Sequence, residues 1–166
     1  IDVIISITAD QSIKLFKREQ SIFSPGIWPF GPNLLIKNLS WEEIETIYNH
    51  VPSTKYPAVL RHYYTTYKFS NVITNDNERN SKRHSFWIIS MMKDLGEKNT
   101  REIANAHERG RPGSAKDNAI DALNNEAAIK YAKENPNVHP ADGAYDMRIR
   151  GLLVDNSYQG CKDKQI

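Results

Sequence analysis

The chain has 166 residues, of which 39% are hydrophobic, 25% charged and 10% aromatic. This length and composition fit one globular domain with a buried core and exclude a disordered chain. The formal net charge of +2 is too small to indicate nucleic-acid binding by itself, and the single cysteine excludes an intramolecular disulfide and a cysteine zinc cluster.

Residues 1–39 carry few regular signals. The apolar positions of residues 1–20 have mixed spacing, so helix and strand both remain open. Residues 21–39 predict an irregular loop, because three prolines and two glycines surround Trp28 and Phe30. Since the chain starts at Ile1 without a basic segment or a cleavage site, we expect a processed product or a fragment rather than a signal peptide. No window holds the roughly 18 apolar residues of a membrane-spanning helix.

The rest of the chain predicts consecutive helices. Ser40 and Glu43 form a capping-box pattern, and Leu39 and Ile44 occupy the positions of a hydrophobic staple. Gly96 is a natural helix stop, and Ser114 with Asp117 resembles a second capping pair. The predicted helices cover about 40–51, 57–69, 82–95, 100–108 and 115–134.

Loops are predicted at 70–80 and 136–147, and residues 147–155 are interpreted as a strand or a short helix. The fold prediction is therefore a mainly α, single-domain helical bundle over residues 1–166, with an irregular Pro/Gly/aromatic loop near the N-terminal third. Residues 76–134 are the helical segment expected to carry a functional site.

Polar residues recur on the inward faces of these helices. His84 shares a helical face with Trp87, Ile88 and Met91, and His107 follows Ile103 by four positions. Further along the chain, Asp121 and Asn125 share one face at spacing i, i+4. Three helices are thus predicted to bring His84, His107, Glu108, Asp121 and Asn125 together, whereas His62 among tyrosines is interpreted as a core histidine.

Imidazoles, carboxylates and amides in one pocket are typical of hydrolysis. Either a divalent metal activates water, or one histidine acts as a general base oriented by Asp121 or Glu108. No compact metal motif is present, so we expect a site without a cofactor or metal. The predicted catalytic residues are His84, His107, Glu108 and Asp121, and the predicted substrate-binding residues are Arg83, Trp87, Asn124 and Asn125. The alternative is a buried network that only fixes the packing.

The pattern Arg83-His84-x-x-Trp87, Ala106-His107-Glu108 and Asp121-x-x-Asn124-Asn125 resembles a poorly characterised helical domain of bacteria, found at the C-terminus of secreted and polymorphic-toxin proteins. The resemblance covers about residues 76–130. Two positions depart from it: Ser81-Lys82 stands where that domain often has Asp-Ala, and Ala128 stands where it often has Gly.

This resemblance implies a secreted effector that is delivered into a target cell, with a cognate immunity protein as a possible partner. Together with the polar residues, it favours a toxin that hydrolyses a phosphodiester or phospholipid substrate. Two alternatives remain open. One is a non-enzymatic toxin or protein-binding module, and the other is a nucleic-acid enzyme that uses the excess of Lys and Arg over residues 78–111.

Overall fold

The computed structural model describes residues 39–110 and 113–155. Within these ranges the chain forms five α-helices, so the prediction of a mainly α bundle is confirmed. The helices are α1 (Trp41–His50), α2 (Tyr56–Asn71), α3 (Asp76–Gly110), α4 (Ala115–Glu134) and α5 (Pro140–Ile149), with a 3₁₀ turn at Ser53–Lys55. The predictions for residues 1–38, including the aromatic loop, lie outside the described residues.

Helix α1 begins at the predicted capping box. The Ser40 hydroxyl accepts a hydrogen bond from the backbone N–H of Glu43 (3.2 Å), and the Glu43 carboxylate accepts one from the backbone N–H of Ser40 (2.7 Å). Leu39 and Ile44 are buried in one hydrophobic cluster with Leu60 of α2. This is the contact expected of a hydrophobic staple, and it fixes the angle at which the chain enters α1.

Helix α3 reverses its direction at Gly96. The backbone there has φ 74° and ψ 172°, a region that glycine alone occupies readily. A straight helix rises about 1.5 Å per residue and would separate positions 84 and 107 by roughly 34 Å. The rings of His84 and His107 are instead 5.8 Å apart. The halves 76–95 and 97–110 therefore lie side by side, and the predicted stop at Gly96 is confirmed as a reversal without a loop.

Helix α3 starts earlier than the sequence predicts. The loop predicted at 70–80 is wrong from Asp76 onward, because the helix already begins there. The acidic side chains of Asp76 and Glu78 lie in the first turn, where they interact favourably with the positive end of the helix dipole. Arg79 pairs with Asp76 and donates to the carbonyl of Ile73 (2.8 Å), which anchors the first turn.

Helix α4 begins at the predicted Ser114 cap, whose hydroxyl accepts from the N–H of Asp117 (3.1 Å). The loop predicted at 136–147 is wrong from Pro140 onward, because α5 occupies Pro140–Ile149. A proline and a glycine have specific roles in α5. Pro140 fills the first helical position, where no N–H is needed. Gly143 lets α5 approach α3 closely, since a β-carbon there would lie 2.8 Å from Ile89.

Helix α3 occupies the centre of the bundle and contacts each of the other four helices. Its buried Ile88, Met91 and Ile103 join residues of α2, α4 and α5 in the main hydrophobic core. Among the described residues, no helix combines the length and apolar character needed to cross a membrane. The bundle holds the polar face of α3 in place between α1 and α4.

Candidate active site

A polar cluster lies where α1, both halves of α3 and α4 meet. It consists of residues that are far apart in sequence and that contact one another through imidazole, carboxylate and amide groups. The cluster contains Glu43 of α1, His84, His107 and Glu108 of α3, and Asp121 and Asn125 of α4. Five of these six residues were predicted from the sequence to come together.

A close contact at the end of α3 brings α1 into the cluster. Gly110 lies against Ser40, and a β-carbon at position 110 would collide with the Ser40 side chain. This approach places the first turn of α1 beside the last turns of α3. As a result, the carboxylate of Glu43 reaches the ring of His107.

His107 is held by a fully buried carboxylate. Its Nδ1 lies 2.7 Å from Oε1 of Glu43, and the same oxygen accepts a hydrogen bond from the Tyr63 hydroxyl (2.7 Å). Burial alone would raise the pKa of Glu43, but the hydrogen bond and charge of His107, with the bonds from Ser40 and Tyr63, hold it below its ordinary value. Glu43 is therefore an ionised carboxylate that orients the imidazole and directs Nε2 away from itself.

His84 is almost completely buried and faces oxygen atoms on both sides of its ring. Nδ1 lies 3.1 Å from Oδ1 of Asn125 and 3.9 Å from Oε1 of Glu108, and Nε2 lies 3.6 Å from Oδ1 of Asp121. Burial, followed by the charges of Arg83 and His107, lowers the pKa of His84 to about 3, although the bond to Asn125 opposes the shift. His84 is therefore neutral near pH 7.

The pKa values of the two carboxyl groups at the edge of the cluster are raised, whereas that of His84 is lowered. Burial and then the charge of Asp121 raise the pKa of Glu108, while His107 and the amide of Asn125 oppose the rise. Burial also raises the pKa of Asp121, against the hydrogen bond from Asn80 (2.7 Å) and the charge of Arg83. Raised pKa values bring carboxyl groups closer to the range in which they exchange protons at neutral pH.

Three of these residues have the geometry of metal ligands. One ligand atom from each of His84, His107 and Glu108 lies within 4.8 Å of the other two. His84 is buried, whereas His107 and Glu108 are partly exposed. The site thus combines a buried interior with an edge that is partly exposed to solvent.

The remaining predicted residues lie around this group or outside it. Arg83 lies at the edge, where its charge lowers the pKa of both His84 and Asp121. Trp87 is buried and packs its ring against His107, with 5.1 Å between centroids, so it forms a wall of the site. Asn124 is not brought into the cluster. Its amide instead binds the backbone N–H and carbonyl of Val154, both at 2.8 Å.

Sequence reasoning missed Glu43, which was interpreted only as the second member of the capping box. A signal for its second role was present. Glu43 precedes Ile47 by four positions, so it lies on the inward face of α1, and its side chain is 0% exposed. A cap residue on the buried face needs an interior partner, which here is His107.

The comparisons with known proteins assign a family but no activity. The chain matches no curated protein and no solved structure. A family model described as a domain of unknown function (DUF6973) matches residues 57–151. This range includes His84, His107, Glu108, Asp121 and Asn125, whereas Glu43 precedes it. The match covers more than half of the chain, and the protein therefore belongs to the DUF6973 family.

Proposed function

We propose that this domain is a hydrolase of phosphate esters and that the polar cluster activates the attacking water. The observation that carries the proposal is the convergence of His84, His107 and Glu108 within 4.8 Å, with Asp121 3.6 Å from His84. Two imidazoles and two carboxyls from three separated stretches of helix meet at the edge of a buried core. Such a set can hold a water molecule and accept its proton.

The reaction follows from these groups. The water oxygen attacks phosphorus, its proton passes to a carboxylate of the cluster, and the bond from phosphorus to the leaving oxygen breaks. The carboxyl group then returns this proton to the leaving oxygen, which regenerates the carboxylate. Asp121 and Glu108 suit the proton transfer, because burial raises the pKa of both carboxyl groups. His84 and His107 hold the water in position, since their rings are fixed by Asn125 and Glu43.

Arg83 favours a phosphate among the possible substrates. Its charge acts on both His84 and Asp121, so a cation lies beside the groups that would activate the water. A guanidinium matches the oxygens of a phosphate in geometry and charge. A phosphodiester or a phospholipid headgroup presents this same chemistry.

The biological setting that we propose is a bacterial toxin or effector domain that is secreted or delivered into a target cell. Support comes from the Arg-His-x-x-Trp, Ala-His-Glu and Asp-x-x-Asn-Asn pattern described above. A cognate immunity protein would be the natural partner of such a domain. The prediction is that expression is toxic and that loss of the cluster relieves the toxicity.

The test is hydrolysis by the purified protein. Wild type would be assayed against a nitrophenyl phosphodiester, a nitrophenyl phosphomonoester, RNA, and phosphatidylglycerol vesicles. Glu108→Gln should lower kcat/KM by about 10²- to 10⁴-fold, the range for loss of an acid–base group. The matched control is His50→Gln, because His50 is an exposed histidine at the end of α1.

The contradictory outcomes are specific. A folded wild-type protein that is inactive on all four substrates and harmless on expression would refute the hydrolase. Toxicity that persists in Glu108→Gln, without hydrolysis, would instead support a non-enzymatic toxin whose polar cluster is architectural. Equal activity of Glu108→Gln and wild type would place the reaction outside this cluster.

A further inference from the structure

We propose that the cluster binds one divalent transition-metal ion, foremost Zn²⁺, through His84, His107 and Glu108. The use of this ion to activate water rests on the proposed function, whereas its binding does not. Imidazole and carboxylate ligands suit Zn²⁺ or Mn²⁺ and disfavour Cu(I). Two histidines and one glutamate also form a ligand set used by catalytic zinc sites, which leave a further position for water.

The distances fit an ion after a small inward movement. Zinc bonds to nitrogen and oxygen are about 2.0–2.2 Å long, so ligand atoms around a tetrahedral ion stand roughly 3.4 Å apart. Here the three ligand atoms lie within 4.8 Å of one another, and Nδ1 of His84 is already 3.9 Å from Oε1 of Glu108. Side-chain movements of about an ångström close the site, and the partly exposed Glu108 carboxylate would make most of this movement.

Each histidine has a carboxylate behind it. Nδ1 of His107 lies 2.7 Å from Glu43, and Nε2 of His84 lies 3.6 Å from Asp121. Histidines that bind metals almost always donate their second N–H to a carboxylate, a carbonyl or water, which fixes the tautomer. Binding through Nε2 of His107 and Nδ1 of His84 would leave the other nitrogen of each ring to donate to its carboxylate.

An ion would also satisfy the ring nitrogen of His84 that has no proton to donate. Asn125 donates its amide N–H to Glu108 (3.3 Å), so its carbonyl oxygen faces Nδ1 of His84. An oxygen of Asp121 faces the opposite nitrogen. A neutral imidazole has only one N–H, so one lone pair must point at an oxygen. A cation at Nδ1 would be attracted by both that lone pair and the oxygen of Asn125.

The sequence does not predict this metal site. It contains no compact metal motif and therefore favours a cluster without an ion. The structure brings the ligands together by the reversal at Gly96 rather than by spacing along one helix. His84 and His107 come from opposite halves of α3, and their supporting carboxylates come from α1 and α4. The geometry points to metal binding where local pattern does not.

The test is metal binding by the full chain, without a histidine tag, after removal of metal by a chelator and dialysis against ZnCl₂ or MnCl₂. We expect one ion per chain by elemental analysis. Titration with ZnCl₂ should shift the imidazole ¹⁵N resonances of His84 and His107, but not those of His50, His62 and His139. This spectrum needs no variant and identifies the ligands directly.

Variants then separate ligands from supporting groups. Glu108→Gln should abolish one-to-one binding, and Glu43→Gln should weaken the affinity for Zn²⁺ by about 10- to 100-fold. Gln at position 43 retains the capping box, so α1 should still form. His50→Gln is the matched control and should bind as wild type does.

Four outcomes decide between the proposals. No binding by folded wild type, or zinc that shifts histidines other than His84 and His107, overturns the metal site. Hydrolysis that persists after complete metal removal also overturns its catalytic use but leaves the hydrolase intact. One-to-one binding at His84 and His107 without hydrolysis of any substrate supports the metal site and refutes the proposed function.

Discussion

Two histidine–carboxylate pairs in this bundle have the same nitrogen–oxygen distance and different surroundings. Nδ1 of His107 lies 2.7 Å from Glu43, and Nε2 of His62 lies 2.7 Å from Asp94. The carboxylate of Glu43 is 0% exposed, whereas that of Asp94 is 36% exposed and also lies 3.5 Å from Arg61. A similar contact is thus made once inside the bundle and once at its surface.

The difference shows what makes a histidine–carboxylate pair a candidate for chemistry. Beside His107 lie Glu108, its neighbour in sequence, and His84, which comes from the other half of α3. Beside His62 the charged neighbours that act on its ring are Asp94 and Arg61, and the latter also pairs with Asp94. A histidine–carboxylate pair alone is an ordinary packing contact. Only the pair at His107 is joined by further titratable groups, and this makes it the candidate for chemistry.

The largest effect is expected from the residue that creates this convergence. Gly96→Ala should destabilise the fold by about 1–3 kcal/mol, because φ 74° with ψ 172° is a region almost closed to other residues. A β-carbon there would meet nothing within 4 Å, so the cost lies in the backbone rather than in a clash. Denaturant unfolding measures the free energy of unfolding. The rate of hydrolysis reports whether His84 and His107 still lie together.

The control for this change is Gly151→Ala. Gly151 also has a positive φ of 67°, and a β-carbon there would meet nothing within 4 Å, but it follows α5, a helix that contributes no residue to the cluster. Both substitutions should lower stability, and only Gly96→Ala should lower activity at temperatures where the protein remains folded. Equal stability of Gly96→Ala and wild type would contradict the reversal at this position.

A smaller effect is expected when the carboxylate of either histidine–carboxylate pair is replaced by an amide. Glu43→Gln should reduce kcat/KM by about 10- to 100-fold, the range for losing a group that orients a metal-binding or catalytic histidine. Asp94→Asn should leave kcat/KM unchanged, since His62 is not part of the cluster. Steady-state kinetics of the two variants, with circular dichroism to verify folding, measures the contrast. A comparable loss in both would show that the effect is general destabilisation.

Much of the helical fold could be predicted because its signals are local. The capping box at Ser40, the N-cap at Ser114 and the helix stop at Gly96 depend on neighbouring residues, and all three are present in the structure. Helix α5 was missed, and it contains Pro140 and Gly143, residue types that usually interrupt helices. Here tertiary packing overrides the low helix propensity, since Gly143 is needed for close contact between α5 and α3.

The candidate site was predictable in part, for a related reason. Helical periodicity placed His84, His107 and Asn125 on inward faces, and the structure brings them together. Periodicity did not separate Asn124 from Asn125, although adjacent helical residues point about 100° apart. Asn124 binds the backbone of Val154, and Asn125 binds His84. Glu43 was missed because its capping role explains it locally, while its partner lies 64 positions away.

The smallest expected effect concerns pH and the surface pair. Burial, and secondarily Arg61, lower the pKa of His62 below its ordinary value, although the carboxylate of Asp94, 2.7 Å from Nε2, opposes the shift. The unfolded chain therefore binds a proton at His62 more readily than the folded chain does. As pH falls through about 6.5 toward the lower folded-state pKa, His62 should cost the fold stability.

Comparison with His62→Gln isolates this contribution, because the buried His84 is present in both proteins and its own acid sensitivity cancels. The free energy of unfolding, measured by urea at a series of pH values, should favour wild type most above pH 6.5. This advantage over His62→Gln should shrink as the pH falls. An advantage that instead grows below pH 6.5 would mean that Asp94 stabilises a charged His62 in the folded state. The surface pair would then be a true ion pair, although the carboxylate of Asp94 is 36% exposed.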